Sequence, residues 1–586
     1  MKFRELAEAY EKIEKTSGRL EMMVLLAEIF KATSAREIRK VVYLSQGIVA
    51  PPFEGIEVGM GEKFVIQAIA QATGYPKEKV TQHYKKSGDL GITAAELIKE
   101  KKQRTLAAEA LTVEKVFETL MKIAKTGGAG SHEKKIGMLV ELLNNSTPLE
   151  AKYIVRFPIG KLRLGIGDPT MLEALSIART GGRELREPLE RAYNLCSDLG
   201  HVAEVFYSKG EKGIRDFEIE LFKPVRPALA ERLSSAEEII KKIGKCAVEA
   251  KYDGFRVEVH KRGNEVRLYS RRLEQMTGMF PEVVEGVRKQ VRARDAIFEG
   301  EALAVNEQTG EFYPFQMTIQ RKREHGVAEK AEEFPLRLFA FDLIYADGKD
   351  YTQEPYAVRR KKLEQLISPG ERIAPSEKIV TDDAKELQKY FDQCVERGLE
   401  GIIAKDLKAP YIAGARKFAW IKLKRSYRGE LSDTIDVVIV GYYLGRGARA
   451  EFGFGGVLGA VYDDKEDLFK TITKIGSGFT ERQMVELREL LRKIKTKEKP
   501  ARVDALIEPD FWVEPRYVIT VMADEITRSP THTAGRDGGE TGYALRFPRM
   551  VGEGVRKDKG PEDATTVDEI VKMYRAQKRL TLVERP

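Results

Sequence analysis

The stretch Glu249-Ala250-Lys251-Tyr252-Asp253-Gly254-Phe255-Arg256 decides how the centre of this chain is interpreted. It places Lys251 at the end of an apolar run with strand-like composition, directly before an Asp-Gly turn. Packing gives little reason for a lysine there, whereas a nucleophile that must meet a phosphorus atom would suit the position. The alternative is an ordinary surface lysine before a hairpin turn.

Further blocks with reactive side chains follow Lys251 in order along the chain. They are Ser270-Arg271-Arg272, Phe298-Glu299-Gly300-Glu301, Phe339-Ala340-Phe341-Asp342, Glu400-Gly401-Ile402-Ile403-Ala404-Lys405, Trp420-Ile421-Lys422-Leu423-Lys424, Arg546-Phe547-Pro548-Arg549, Arg556-Lys557-Asp558-Lys559 and Ala564-Thr565-Thr566. In this order the blocks resemble those of the ATP-dependent DNA ligases, most closely the archaeal and eukaryotic replicative type. The resemblance extends over nearly the whole chain, and the ordered set is far more specific than any one block.

Composition limits the possible classes of protein. A chain of 586 residues predicts three or four domains, and a net charge of +9 suits a polyanionic partner without separating DNA from RNA. Cys196, Cys246 and Cys394 are far apart, so we expect neither a zinc site nor a disulfide framework; the NAD-dependent bacterial ligases, by contrast, have a four-cysteine zinc finger. No apolar run reaches membrane-spanning length. We expect a cytoplasmic, nucleoid-associated protein of a prokaryote, an archaeon on this resemblance, without membrane contact.

The first part of the chain has the periodicity of helices. Strand-like alternation is scarce, and Ser34-x-x-Glu37 and Thr93-x-x-Glu96 have the pattern of capping boxes at helix starts. Apolar side chains recur at helical spacing from the beginning of the chain, at Phe3, Leu6, Ala7, Tyr10 and Ile13. We predict an all-α domain over residues 1–222, and the resemblance implies that it binds DNA.

The period changes after Lys223–Pro227, a proline-containing linker. Alternating valines flank the turn Arg262-Gly263-Asn264, which predicts a hairpin, and Leu338–Tyr345 predicts another strand. We predict an α+β domain over residues 223–425, which the resemblance implies is an adenylation (nucleotidyltransferase) domain.

The remainder, residues 426–586, contains short candidate strands separated by glycine turns. These strands are Val437–Tyr443, Gly456–Tyr462, Phe469–Ile475 and Tyr517–Met522. Short strands of this kind suit a small all-β barrel, and the resemblance implies an OB-fold.

Two lysines in the block at residues 420–424 share one face of a predicted strand. Because side chains alternate along a strand, Lys422 and Lys424 point together while Ile421 and Leu423 point to the core. A bound phosphate is one target for the pair, and a solvated strand face is the alternative. We expect these lysines and Arg256 to lower the pKa of Lys251, because nearby cations favour the neutral amine.

Two carboxylates are candidate metal ligands. Glu301 and Glu400 both lie in apolar, strand-like surroundings, and magnesium often takes only one or two carboxylates together with substrate phosphates. Glu299 stands where many relatives have aspartate, so we assign the main role to Glu301. We therefore predict a site for Mg²⁺ or Mn²⁺.

The remaining nucleotide contacts are implied by the resemblance. With ATP as substrate, Glu249 would accept a hydrogen bond from the adenine amino group and Phe341 would stack on the adenine, although Phe341 could also be an ordinary core aromatic. Arg271 would lie nearer the 5′-phosphate of the nick. The other contacts would come from Arg256, Glu301, Arg416, Lys422 and Lys424, and, on the β- and γ-phosphates when the C-terminal domain closes, from Arg546, Arg549, Arg556 and Lys559.

The segment Gly160–Gly167 is a candidate DNA contact, because glycines flank two cations and allow close approach to phosphates. A glycine-rich loop between helices is the alternative. The resemblance implies that this loop lies in the minor groove beside the nick, with Lys161, Arg163, Gly165 and Arg271 binding DNA. The segment Gln103–Leu106 lies where archaeal relatives contact a sliding clamp, but it lacks the usual aromatics, and an exposed basic loop is the alternative.

The sequence thus predicts a monomeric ATP-dependent DNA ligase that seals nicks in duplex DNA during replication, repair and recombination. It would act through a lysyl-AMP intermediate and an adenylylated 5′-phosphate. The alternatives are an RNA ligase, a nucleotidyltransferase of the mRNA-capping type and a non-catalytic DNA-binding scaffold. A capping enzyme does not explain the helical region or residues 546–566, and each motif keeps its reactive side chain, which argues against a scaffold.

Overall fold

The computed structural model describes residues 1–583 apart from a set of short gaps. The gaps are residues 17, 102–108, 129, 306–311, 313–317, 319–320, 322–325, 398, 425–433, 446–452, 524, 537, 539–540 and 547. Along the described chain a helical region is followed by a central α+β region and a sheet-rich C-terminal region.

The N-terminal region is built from helices packed on one another. They are α1 Phe3–Lys15, α2 Arg19–Ala32, α3 Ile38–Gln46, α4 Glu62–Thr73, α5 Lys77–Ser87, α6 Leu90–Lys99, α7 Val113–Lys125, α8 Ser131–Asn144, α9 Pro148–Arg156, α10 Asp168–Thr180, α11 Arg186–Cys196 and α12 Leu199–Arg215. The apolar positions predicted for the first helix are the ones that α1 buries. Burial of apolar side chains between the helices therefore holds this region together.

Both predicted capping boxes are wrong. Helix α3 begins after Glu37 without a side-chain cap, and the hydroxyl of Ser34 donates instead to the Glu37 carboxylate at 3.0 Å. Thr93 lies inside α6, because the carboxylate of Asp89 accepts from the N–H groups of Gly91 and Ile92 and begins the helix earlier. A polar residue three before a glutamate does not by itself fix where a helix begins.

The central region contains two sheets with helices on their faces. Its elements are β1 Leu229–Arg232, α13 Ala236–Ile243, β2 Cys246–Lys251, β3 Phe255–Arg262, β4 Glu265–Ser270, α14 Pro281–Gln290, β5 Asp295–Ala304, α15 Val327–Glu333, β6 Leu336–Ala346, β7 Lys349–Asp350, α16 Tyr356–Leu366, β8 Ile373–Pro375, β9 Lys378–Thr381, α17 Ala384–Glu396, β10 Gly401–Asp406 and β11 Arg416–Lys424. One sheet has the order β1-β11-β10-β2-β9, and the other has the order β4-β3-β5-β6-β7 with β8 beside β6. The predicted hairpin is confirmed, since Arg262 pairs with Glu265 across the turn.

The register of the first sheet brings two lysines to one glycine. Gly401, the first residue of β10, pairs with Lys251 on one side and with Lys424 on the other. Gly401 has a φ of +149°, and a side chain there would overlap the carbonyl of Leu423. Glycine at this position therefore allows the three strands to meet at the site described below.

The C-terminal region is rich in strands. Its elements are β12 Thr434–Tyr443, β13 Gly456–Asp463, β14 Leu468–Ile475, α18 Glu481–Lys493, β15 Val503–Asp504, β16 Phe511–Trp512, β17 Val518–Met522, β18 Glu525–Ser529, β19 Gly542–Arg546, β20 Arg549–Val555 and α19 Val567–Val583. The main sheet has the order β15-β14-β13-β12-β17-β20 with β16 beside β12, and β18 pairs with β19. The four strands predicted from the sequence are all present.

The regions contact one another. The largest apolar core begins in the N-terminal helices and continues to Ile344 and Trp420 of the central region. Helix α19 returns to the central region, where Lys572 forms an ion pair with Glu231 at 3.1 Å. Within the residues described, no helix is long and apolar enough to cross a membrane.

Candidate active site

Lys251 ends β2 at the mouth of a charged pocket. The alternation along β2 sends Val248 and Ala250 into the core and places Lys251 on the same face as Glu249. The Lys251 ammonium donates to one carboxylate oxygen of Glu400, and Lys424 forms an ion pair with the other oxygen. The predicted nucleophile, one predicted metal ligand and one predicted phosphate-binding lysine therefore lie in direct contact.

The pKa of Lys251 is raised, so the expected lowering by neighbouring cations is wrong. Burial opposes the charged form, but the carboxylates of Glu400 and then Glu301 outweigh it and raise the pKa. Of the expected cations, Arg256 is paired with Glu299, and Lys424 shares Glu400 with Lys251. Without substrate, Lys251 is held as an ammonium.

Negative charge is concentrated around Glu301 on β5. Burial first, and then repulsion from Asp253 and Glu400, raises the pKa of Glu301 to about 7, although Lys251 and Arg256 oppose this. Glu301 Oε1 also accepts a hydrogen bond from the Gly254 N–H at 3.3 Å. A divalent cation would relieve the repulsion between these carboxylates, so Glu301 and Glu400 are suited to bind such a cation.

The donor set also indicates which cation fits. Among the described residues, no group of three or more His, Cys, Asp and Glu side chains could hold a metal alone. A hard ion that keeps several waters and uses substrate oxygens, such as Mg²⁺, suits two carboxylates better than an ion that needs a complete protein cage.

Glu249 lies deeper on the same face as Lys251 and is 2% exposed. Its carboxylate accepts hydrogen bonds from the Tyr356 hydroxyl, from Ser376 Oγ at 2.9 Å and from Arg360 Nη1 at 3.4 Å, and it pairs with Lys405 Nζ at 3.1 Å. These donors come from a helix, a strand and the loop between β8 and β9, and together they fix the position of the carboxylate.

An aromatic pocket surrounds the end of the Lys405 side chain. Lys405 Nζ lies 4.8 Å from the ring centre of Phe341 and 4.4 Å from that of Trp420, and it donates to the Phe341 carbonyl at 2.8 Å. Phe341 is partly buried and its ring meets Trp420 edge to face at 5.8 Å. Lys405 was not among the residues predicted to bind the nucleotide, although the alternation that buries Ile402 and Ala404 indicates that Lys405 points to the opposite face of the strand from Ala404.

Arg256 on β3 lies against the same rings. Its guanidinium carbon is 5.4 Å from the ring centres of both Phe341 and Trp420. Both carboxylate oxygens of Glu299 accept from Arg256, each at 2.9 Å. Because Glu299 is committed to Arg256, the geometry agrees with giving the metal-binding role to Glu301.

The last motif of the C-terminal region lies beside the central region. Lys559 donates to Asp436, and Arg556 pairs with Asp436 at 3.4 Å and with Asp558 at 2.6 Å. Across the boundary, Arg271 approaches Asp563 at 3.6 Å and Arg272 donates to the Lys557 carbonyl at 2.7 Å.

Helix α19 supplies a carboxylate to the predicted phosphate-binding cations. Glu569 pairs with Arg416 at 2.5 Å and with Lys422 at 3.5 Å. Burial, together with Arg416, Lys424 and Lys559, lowers the pKa of Lys422 to about 7, although Glu569 opposes the shift. Glu569 could not be predicted from the sequence, because no local pattern links it to Arg416, which is 153 positions away.

Two of the predicted C-terminal cations lie on strands of their own region. Arg546 lies opposite Glu525 in the pair β18–β19. Arg549 at the start of β20 contacts the sulfur of Met522 at 3.2 Å. Arg556 and Lys559 thus lie beside the boundary with the central region, and Arg546 and Arg549 lie on strands of the C-terminal region.

The predicted DNA-binding loop forms part of a different surface. Lys161 pairs with Glu62 at 3.1 Å, and Arg163, at a positive φ of 61°, pairs with Asp89 at 3.4 Å. Gly165 packs closely against Ala501 of the C-terminal region. Lys161, Arg163 and Gly165 are therefore together in one loop, whereas Arg271 lies in the central region, near Asp563 of the C-terminal region.

Comparison with known proteins gives the family. Family models described as "DNA ligase N terminus", "ATP dependent DNA ligase domain" and "ATP dependent DNA ligase C terminal region" match residues 2–176, 227–424 and 450–559. A "Probable DNA ligase" of Dictyoglomus turgidum is 53% identical, covering 99% of this chain and 98% of its own. A "Probable DNA ligase" of Aquifex aeolicus is 44% identical, with 99% of each chain covered, and a "DNA ligase" of Saccharolobus shibatae is 43% identical, with 98% of each covered. The chain belongs to the ATP-dependent DNA ligase family, whose function is the sealing of nicks in DNA.

Proposed function

We propose that Lys251 is the nucleophile with which this ligase takes AMP from ATP. The observation that carries the proposal is the contact of Lys251 with Glu400 in a pocket that also holds Glu301 and Lys424. A partly buried lysine held between carboxylates, beside aromatic side chains, is suited to meet a metal-bound nucleotide rather than to pack.

In the first step the ammonium of Lys251 releases a proton to solvent and becomes an amine. The amine attacks the α-phosphorus of ATP, a P–N bond forms, and the bond to the pyrophosphate oxygen breaks. AMP then passes to the 5′-phosphate of the nick, and the 3′-hydroxyl displaces AMP to close the backbone. When bound, Mg²⁺ or Mn²⁺ held by Glu301 and Glu400 would supply positive charge to the phosphoryl oxygens.

The base and ribose would lie over the pocket beside Lys251. Phe341 supplies an aromatic face, and Arg256 and Lys405 supply cations near that face. Glu249 remains our candidate for adenine recognition. We add Lys405 to this part of the site, because it forms an ion pair with Glu249 at 3.1 Å. The phosphates would contact Arg416, Lys422 and Lys424. At Arg416 and Lys422 they would replace the carboxylate of Glu569.

The C-terminal cations would act mainly in the first step. Arg556 and Lys559 would neutralise the leaving pyrophosphate, since both lie near the boundary with the central region. We keep Arg546 as a predicted contact of the β- and γ-phosphates. Arg271 would contact the 5′-phosphate, and Lys161, Arg163 and Gly165 would contact the DNA backbone.

The finer organisation is also part of the proposal. We propose a DNA-binding domain at residues 1–222, an adenylation domain at 223–425 and an OB-fold at 426–586, in a cytoplasmic monomer. The strand-rich order of β12 to β20 supports a barrel of that kind. The possible sliding-clamp contact at Gln103–Leu106 lies outside the described residues.

The direct test is nick sealing with ATP, ADP and NAD in parallel, on nicked DNA and on nicked RNA duplexes. We expect sealing of nicked DNA with ATP, and transfer of label from ATP but not GTP to the protein. Sealing of RNA in preference to DNA, or a GTP-derived adduct, would favour an RNA ligase or a capping-type enzyme. Tight nick binding without an adduct would favour a scaffold.

A further inference from the structure

A closed ring of buried hydrogen bonds surrounds Arg256. Arg256 donates to both carboxylate oxygens of Glu299, and the Tyr411 hydroxyl donates to Glu299 Oε2 at 2.7 Å. The Tyr411 oxygen accepts from the Ala228 N–H at 3.0 Å, and the Ala228 carbonyl accepts from Arg256 Nη1 at 2.7 Å. The ring therefore returns to the guanidinium at which it began.

The partners of the Tyr411 hydroxyl allow only one assignment of its donor and acceptor roles. Its hydroxyl has one proton, which goes to Glu299, while its oxygen accepts the Ala228 N–H. Tyr411 and Glu299 are 3% and 1% exposed, so water is poorly placed to substitute for either. Loss of the hydroxyl would remove one hydrogen-bond partner from the Glu299 carboxylate and one from the Ala228 N–H, and both groups are buried.

The ring also anchors the connection between two regions. Ala228 ends the segment Phe222–Ala228, which leaves the N-terminal helices. In that segment the Val225 N–H donates to Glu258 of β3 at 2.8 Å, and the Pro224 carbonyl accepts from Ser197 of the helical region at 2.7 Å. The connection predicted as a linker is thus held on both sides, and Tyr411 ties its end to the nucleotide pocket.

We propose that Tyr411 is a positioning residue that fixes the Arg256 guanidinium toward the nucleotide, acting through Glu299 and Ala228. The proposal rests on the proposed function, in which Arg256 contacts ATP. Tyr411 touches the edge of the Trp420 ring at 5.9 Å, but its hydroxyl is directed at Glu299. Tyr411→Phe therefore removes the hydrogen bonds of the hydroxyl to Glu299 and Ala228 and keeps the packing of the aromatic side chain.

The experiment measures single-turnover lysyl-AMP formation against ATP concentration. We expect Tyr411→Phe to raise the half-saturating ATP concentration about 10-fold, as for a lost hydrogen bond to a charged group, with the maximal rate changed less than about threefold. Tyr10→Phe is the matched control, since it removes a hydroxyl that is equally buried but bonded to Ser45 in the N-terminal region. The control should lower the unfolding temperature similarly and leave ATP saturation unchanged.

Arg256→Met separates this inference from the proposed function. We expect it to raise half-saturation at least as much as Tyr411→Phe does, and the double variant to be no worse than Arg256→Met alone. If Arg256→Met weakens ATP use and Tyr411→Phe does not, or if the two effects add, the positioning role is wrong. If neither variant alters ATP saturation, Arg256 does not contact the nucleotide and the proposed function of Arg256 fails first.

Discussion

Replacing Glu400 with glutamine should release Lys251 from the charge that keeps it protonated. Glu400 lies between the ammonium groups of Lys251 and Lys424 and contributes more than any other carboxylate to raising the pKa of Lys251. Unit charges about 4 Å apart at an effective dielectric near 20 interact by about 4 kcal/mol, or about three pKa units. Both side chains are about a quarter exposed, so we expect roughly half of that, a fall of one to two units in the pKa of Lys251.

The pKa can be measured on the protein without ATP or metal. An amine-selective reagent labels Lys251 in proportion to its neutral form, and mass spectrometry of the peptide gives the labelling rate at each pH. We expect the midpoint for Glu400→Gln to lie one to two units below wild type, and the midpoint for the exposed control Glu28→Gln to be unchanged. A midpoint that stays in place or rises in Glu400→Gln would refute the assignment of Glu400 as the group that holds the ammonium.

Two further outcomes follow from the cations around the pocket. Because burial lowers the pKa of Lys422 to about 7, this lysine loses its charge as the pH rises through 7. The affinity for ATP should therefore fall between about pH 7 and 9 in wild type and change less in Lys422→Arg. Equal slopes of affinity against pH in a binding titration would contradict this. Arg556→Ala combined with Lys559→Ala should slow lysyl-AMP formation by about 100-fold, and a pre-adenylylated nick should still be sealed at close to the wild-type rate; equal loss in both assays would mean that these residues serve folding or DNA binding.

Local patterns predicted the parts of the site that lie within single strands. Alternation along β11 correctly separated Lys422 and Lys424 from the buried Ile421 and Leu423. Because that alternation is a property of the strand itself, no knowledge of packing was needed. The same holds for the hairpin around Gly263.

Contacts between distant elements could not be predicted in this way. The pKa of Lys251 was predicted in the wrong direction because strand pairing, which the sequence alone does not reveal, brings the carboxylates of Glu400 and Glu301 to Lys251. Glu569 and Tyr411 were missed for the same reason, since their partners are 153 and 112 residues away. The box predicted at Thr93 failed because Asp89 caps that helix, and the box predicted at Ser34 failed because the Ser34 hydroxyl donates to the Glu37 carboxylate.

The central claim is that Lys251 carries AMP, and one measurement tests it most directly. Wild type and Lys251→Ala are incubated with ATP labelled at the α-phosphate and with Mg²⁺, and the protein is isolated and digested. The account predicts an acid-labile label on the peptide that contains Lys251 and none in Lys251→Ala, which should still bind nicked DNA. A labelled adduct of equal yield in Lys251→Ala, or a wild-type label on another residue, would contradict it.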